Sequence, residues 1–150
     1  MLIDAVKQFM GAAGQFKEEE YNVRLTALYT GLQFEEMAEK MTSMGCHLYA
    51  HDLTIMADRF KAGAMDENVA KANRIEMLDA DVDIAWVSIG ASFAAGSDVR
   101  GASEEVIRSN MSKFVVAEDG TLMGIRDKNG KLVKPDDYSP PELSDYVCWM

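Results

Sequence analysis

The chain has 150 residues, 48% of them hydrophobic, which is enough to bury the core of one domain and too few to expect two. A formal net charge of −10 argues against a nucleic-acid binder, because phosphate contacts need a concentrated basic surface. No run approaches the ~20 apolar residues of a membrane span, the opening Met1-Leu2-Ile3-Asp4-Ala5-Val6-Lys7 lacks the basic and apolar parts of a leader, and Cys46 and Cys148 alone make no disulfide framework. A soluble cytoplasmic protein is expected.

Residues 2–10 have the spacing of a short amphipathic helix through Leu2, Val6, Phe9 and Met10, with a break at Gly11-Ala12-Ala13-Gly14. From Glu20 to Met44 the apolar positions Val23, Leu25, Leu28, Leu32, Met37 and Met41 predict a long helix stopped by Gly45. Residues 48–61 predict a third, with Leu53, Met56, Ala57 and Phe60 on one face. Asp66-Glu67-Asn68 then opens the longest predicted helix, running to Ala95 and closed by Gly96. Its stripe is Ile75, Leu78, Val82, Ala85, Ile89 and Phe93. Ser103-Glu104-Glu105 reads as a helix start, with Ser103 as N-cap and acids against the dipole, and that helix should end near Phe114.

The pattern changes after residue 114. Asp119-Gly120 and Asn129-Gly130 are turn signals, and the second predicts a hairpin between Met123-Gly124-Ile125 and Leu132-Val133. Pro135, Pro140 and Pro141 make the remainder irregular. The expected architecture is all-α, an antiparallel helical bundle over 1–114 with a small hairpin-bearing arm over 115–150. The arm is expected to pack on that core or on a neighbouring subunit.

Two acid clusters interrupt this pattern. Glu35, Glu36 and Glu39 fall where the stripe Leu25, Leu28, Leu32 takes its next helical steps, and Glu76, Asp79 and Asp83 lie beside the stripe of the longest helix. Residues three and four apart share a helix face, so each cluster projects several carboxylates together. Gathered between packed helices, such charges need protons or cations, and hard oxygen ligands suit Mg²⁺ or Mn²⁺. The competing reading is a solvated acidic face with salt bridges. Glu36 has Lys40 as an i+4 partner, which favours that reading. Glu39, Glu76, Asp79 and Asp83 have no basic residue at i±3 or i±4, which favours metal. Cys46, His47 and His51 form no complete zinc set, and no P-loop is present.

Glu35-Glu36-x-x-Glu39 followed by Glu76-x-x-Asp79 resembles the acidic signature of the all-α nucleoside triphosphate pyrophosphohydrolases, the MazG-like superfamily. The segment Arg108-Ser109-Asn110-Met111-Ser112-Lys113 and the tail through Tyr138-Ser139-Pro140-Pro141-Glu142-Leu143 are similar to a branch frequent in bacteria and phages. Two departures stand out: a long span between Glu39 and Glu76, and Ile107 where that branch carries a histidine.

The resemblance implies hydrolysis of a nucleoside triphosphate to the monophosphate and pyrophosphate, with a deoxynucleotide as substrate and purines ahead of dUTP or dCTP. It implies two to three Mg²⁺ or Mn²⁺ ions on Glu35, Glu36, Glu39, Glu76 and Asp79, with Asp83 as an outer ligand. Glu36 or Glu35 would take the proton from the attacking water. Asn110, Lys113 and Lys131 are expected to bind substrate, the arm to close over it, and the chain to form a homodimer or homotetramer in the cytoplasm (the host's, if phage-encoded). Phosphoribosyl-ATP as substrate, and a non-catalytic acidic oligomeric adaptor, are the alternatives.

Overall fold

The computed structural model describes residues 2–15, 20–126 and 132–148. Helix makes up 64% of it, in six helices with a small two-stranded antiparallel hairpin. Helix α1 spans Leu2–Ala12 and closes at Gly14, whose φ of 65° lets the Gln15 amide reach back to the Met10 carbonyl. Helix α2 spans Val23–Ser43, with Asn22 as N-cap accepting from the Leu25 amide at 2.9 Å.

Gly45, at φ 76°, ends the helical path after α2, and α3 follows at once over His47–Lys61. The short connection returns α3 antiparallel along α2, so the start of one meets the end of the other. Arg24 on α2 donates to the carbonyls of Phe60 and Lys61 in the last turn of α3. A guanidinium there satisfies carbonyls that have no helical partner and opposes the negative end of the helix dipole.

The two helices meet through small residues rather than the predicted leucine stripe. Ala27, Gly31 and Ala38 are the buried positions of α2, and Ala50 and Ala57 those of α3. Phe34 stacks on Phe60 beside this seam, with ring centroids 5.6 Å apart. Leu25, Leu28 and Leu32 stay half-exposed, because the backbones approach closely enough to turn the alanine and glycine face inward. The acids Glu36 and Glu39 are therefore exposed, not set on the face that α2 buries against α3.

The predicted longest helix is two helices. Asp66 opens only α4, Asp66–Ala70, and α5 begins anew at Arg74 and runs to Ala94. Asn73 interrupts them: its side chain accepts from the Ile75 amide at 3.1 Å, drawing the backbone into a cap. Helix α6 spans Val99–Met111 and is capped by Asp98, which accepts from the Gly101 amide at 3.1 Å. Ser103 is inside that helix, its hydroxyl turned back onto the Val99 carbonyl at 2.6 Å, so it is not the N-cap. Phe114, expected as a helix end, opens a strand instead.

Strand β1, Phe114–Val116, pairs antiparallel with β2, Leu122–Gly124, in the register Phe114↔Gly124. The turn between them uses Gly120 at φ 83° and Asp119, which accepts from the Thr121 amide and hydroxyl. The predicted Asn129-Gly130 turn lies outside the described residues. Its flanks meet at the bridge Arg126↔Leu132 and through the Val133 amide on the Ile125 carbonyl at 2.8 Å.

By contacts the chain divides into Glu19–Leu78 on one hand and Met1–Glu18 with Asp79–Met150 on the other, the boundary falling inside α5. Residues 115–150 thus belong to a larger unit that includes α1 and α6. In that unit Phe9 of α1 meets Phe114 edge-on at 4.9 Å, and the tail runs back along α6. Ser139 donates its amide to the Ser112 hydroxyl at 3.1 Å, Glu142 its amide to Glu105 at 2.8 Å, and the Asp98 amide donates to the Tyr146 carbonyl at 2.9 Å. The Tyr146 ring lies so near Gly101 that an added Cβ would meet it at 2.5 Å.

The α2–α3 seam can be tested directly. A Cβ at Gly31 would stand 3.0 Å from the Ala57 carbonyl oxygen and 3.1 Å from the Phe60 Cβ. Gly31→Val should therefore destabilise the protein by about 1–3 kcal/mol through overpacking. Gly11→Ala on α1, with nothing within 4 Å, should gain up to about 1 kcal/mol from helix propensity. Chemical denaturation of both variants checks this; a Gly31→Val as stable as the parent would contradict the close approach.

Candidate functional site

The carboxylates of the two clusters have different surroundings. Glu35 on α2 receives a hydrogen bond from the Lys61 Nζ of α3 at 2.8 Å, and Asp58 lies 3.5 Å from the same ammonium. The hydrogen bond from Lys61 to Glu35, helped by the charges of both acids, raises the Lys61 pKa and keeps it an ammonium. Glu36 and Glu39 are exposed further along α2. Glu39, Glu76, Asp79 and Asp83 make no hydrogen bond or ion pair among the described residues.

Helix α5 is apolar on more than one side and has no buried residue. By helical spacing, Ile75, Leu78, Val82, Trp86, Ile89 and Phe93 form one row, while Ile84 and Val87 lie on another. Glu76, Asp79 and Asp83 run between the two. The apolar rows are open: Ile75 is 82% exposed, Trp86 78% and Phe93 63%. A helix apolar on more than one side is ordinarily buried, so this much open apolar surface on one element is unusual.

Among the described residues no three His, Cys, Asp or Glu side chains come together closely enough to hold one ion. Each row is aligned along its own helix. What the acids offer is chemical kind: hard, ionised oxygens, free of competing cations at Glu39, Glu76, Asp79 and Asp83. That donor set fits Mg²⁺ or Mn²⁺ rather than a thiophilic metal.

Asn110 and Lys113, expected one turn apart on α6 and its C-terminal extension, do meet: the Lys113 Nζ donates to the Asn110 Oδ1 at 2.7 Å. Lys131 lies outside the described residues. Further polar side chains of α6 and the tail gather around this pair. Tyr138 of the tail shares a hydrogen bond with Ser109, a serine only 3% exposed, and the Lys134 Nζ sits 4.3 Å from the Tyr138 ring centroid. The Ser109 hydrogen bond and the neighbouring lysines lower the Tyr138 pKa. Arg108 holds Glu105 through two hydrogen bonds of 2.8 and 2.7 Å and also donates to the Pro140 carbonyl at 3.0 Å. An Arg three residues after a Glu is a visible helix pair, but nothing in its spacing reveals the tail that binds to both.

A hollow of about 370 Å³ lies among α5, α6 and the 3₁₀ turn Ser144–Tyr146, walled by Ile89, Val99 and Val106, with Ser88, Ser92 and Tyr146 at its edge. It is mainly apolar, and it contains none of the acids. Among the described residues no helix is long and apolar enough to cross a membrane. Compared with models of protein families, with curated proteins and with solved structures, the chain matches none.

The Glu105 clamp has a pH signature. The Arg108 hydrogen bond, then the Glu142 amide, lower the Glu105 pKa from an ordinary 4.5 to about 2. A depressed carboxylate stabilises the folded chain fully above its unfolded pKa, and that contribution fades as pH falls through the folded value. The tail should thus stay clamped from neutral pH down to 4.5 and loosen between there and about 2. The protection of the Glu142 amide, its exchange rate relative to the intrinsic rate at each pH, should fall only in that window, and in Arg108→Ala it should already be low at neutral pH. Equal protection in parent and variant would contradict the clamp.

Proposed function

We propose that the chain is a metal-dependent nucleoside triphosphate pyrophosphohydrolase of the all-α, MazG-like type, working as a homodimer or homotetramer on a deoxynucleoside triphosphate. The observation that carries the reading is the unpaired row Glu76, Asp79, Asp83 between two open apolar rows of α5. Covering the apolar rows with a second copy removes water from the acids. Like charges in a poorly solvated space then need cations. Assembly and metal binding are two consequences of one helix.

Glu35, Glu36, Glu39, Glu76 and Asp79 would hold the ions, with Asp83 outside them. Bound Mg²⁺ or Mn²⁺ supplies a readily ionised water and offsets the charge of the phosphoryl transition state. Glu36 accepts the proton of the water that attacks the α-phosphorus, and the bond to the bridging oxygen breaks to release pyrophosphate. Asn110 and Lys113 donate to phosphate oxygens that the acids repel.

Pyrophosphate release across a panel of deoxynucleoside triphosphates with Mn²⁺ tests the activity. Asp79→Ala and Glu39→Ala should each lower kcat/KM at least ~100-fold, the order lost when an essential catalytic contact is removed, with the helical circular dichroism unchanged. Light scattering should give a multiple of the 16.6 kDa chain mass. A metal-independent turnover, or full activity in the variants, would refute the mechanism. An oligomer that turns over nothing and ignores Mn²⁺ would mark an acidic adaptor instead.

A further inference from the structure

Acids outnumber bases in this chain, 25 Asp and Glu against 15 Lys and Arg, yet some ammonium groups stand without a carboxylate. Lys113 and Lys134 are such a pair. Among the described residues neither makes an ion pair with an acid; Lys113 is held by the neutral Asn110 and Lys134 by the Tyr138 ring. Both lie near enough to Tyr138 for their charges to act on its hydroxyl.

They arrive there from different parts of the fold. Lys113 follows the last turn of α6, and its Nζ also lies 5.8 Å from the Phe9 ring centroid of α1. Lys134 comes from the tail, where the Tyr138 amide closes a turn onto the Pro135 carbonyl at 3.0 Å. The buried Ser109 fixes the phenol from below, and Ser112 fixes the next residue, Ser139. These two tethers bring the tail to this spot. Each ammonium has three donors, and Asn110 and the Tyr138 ring engage only part of those of Lys113 and Lys134.

Two like charges held together by tethers repel unless an anion lies between them, just as carboxylates in a row call for cations. We propose that Lys113, Lys134 and the Tyr138 hydroxyl form a phosphate-binding site, half from α6 and half from the tail, for the pyrophosphate portion of a nucleoside triphosphate. Only the naming of that pyrophosphate portion rests on the hydrolase reading; the binding of a polyphosphate anion stands on the side chains themselves. Tyr138 contributes direction, donating a hydrogen bond to one oxygen, while the two lysines supply charge. The tail is then part of the binding surface, and its attachment along α6 through Arg108 and Glu105 positions half of the site.

Inorganic pyrophosphate in excess chelator tests this without turnover. Added to the full-length protein, it should raise the melting temperature and give saturable heat in calorimetry, with sulfate at the same ionic strength doing neither. Lys113→Gln and Lys134→Gln should each weaken binding at least tenfold, and Tyr138→Phe about threefold. The melting temperature of each variant without ligand reports its fold, and Lys134→Arg should restore binding to within a few-fold. Pyrophosphate binding without hydrolysis of any nucleotide would uphold the site and overturn the enzyme reading. Metal-dependent hydrolysis with an unchanged KM in Lys113→Gln and Lys134→Gln would do the reverse. No saturable binding of pyrophosphate by the parent protein, or equal binding by the doubly substituted one, would overturn the site.

Discussion

The mutual repulsion of Glu76, Asp79 and Asp83 along α5 is the constraint on which the rest depends. A solvated acid row is harmless, because water and salt screen it. Here the same helix turns apolar rows to either side, and apolar surface of that extent drives association. The two demands conflict. Burying Ile75, Val82, Trp86 and Phe93 takes solvent from the acids, while leaving the acids wet leaves the apolar rows exposed. In the proposed reading, cations bound as the face closes would reconcile them, and metal binding and assembly would then be coupled equilibria, each strengthening the other.

The other elements work as supports. The α2–α3 hairpin presents Glu35, Glu36 and Glu39 on a rigid pair of helices whose backbones meet at Gly31 and Ala57. Arg24 ties the far end of that hairpin by binding the last carbonyls of α3. In the second unit, α6 is the spine. Asp98 caps its start, the tail lies along its length, and its end displays Asn110 and Lys113.

Much of this was legible in the residue pattern. The helices near 2–12, 23–43 and 47–61 follow from apolar spacing and from Gly45, and the acid clusters stand out because apolar steps give way to carboxylates. The failures have physical causes. Asn73 reads as an ordinary helix residue until its side chain is seen capping Ile75, so one long helix was expected where α4 and α5 stand. Ser103 looks like an N-cap because a serine followed by acids often opens a helix, but Asp98 competes for that role and wins with an earlier turn. Leucines draw attention as core, whereas close helix approach selects Ala27, Gly31, Ala50 and Ala57. The tail was legible only as a segment with little core of its own. Its docking through Tyr138, Ser139, Glu142 and Tyr146 is made of single hydrogen bonds to α6, which leave no periodic trace.

The central claim is that the α5 row binds cations. Calorimetric titration of Mn²⁺ into the metal-free protein, beside a Glu76→Ala/Asp79→Ala/Asp83→Ala variant, measures it most directly. The parent protein should take up more than one Mn²⁺ per chain with saturable heat, and the variant should lose that binding while keeping its helical content. Absence of saturable Mn²⁺ binding in the parent, or binding undiminished in the variant, would contradict the account.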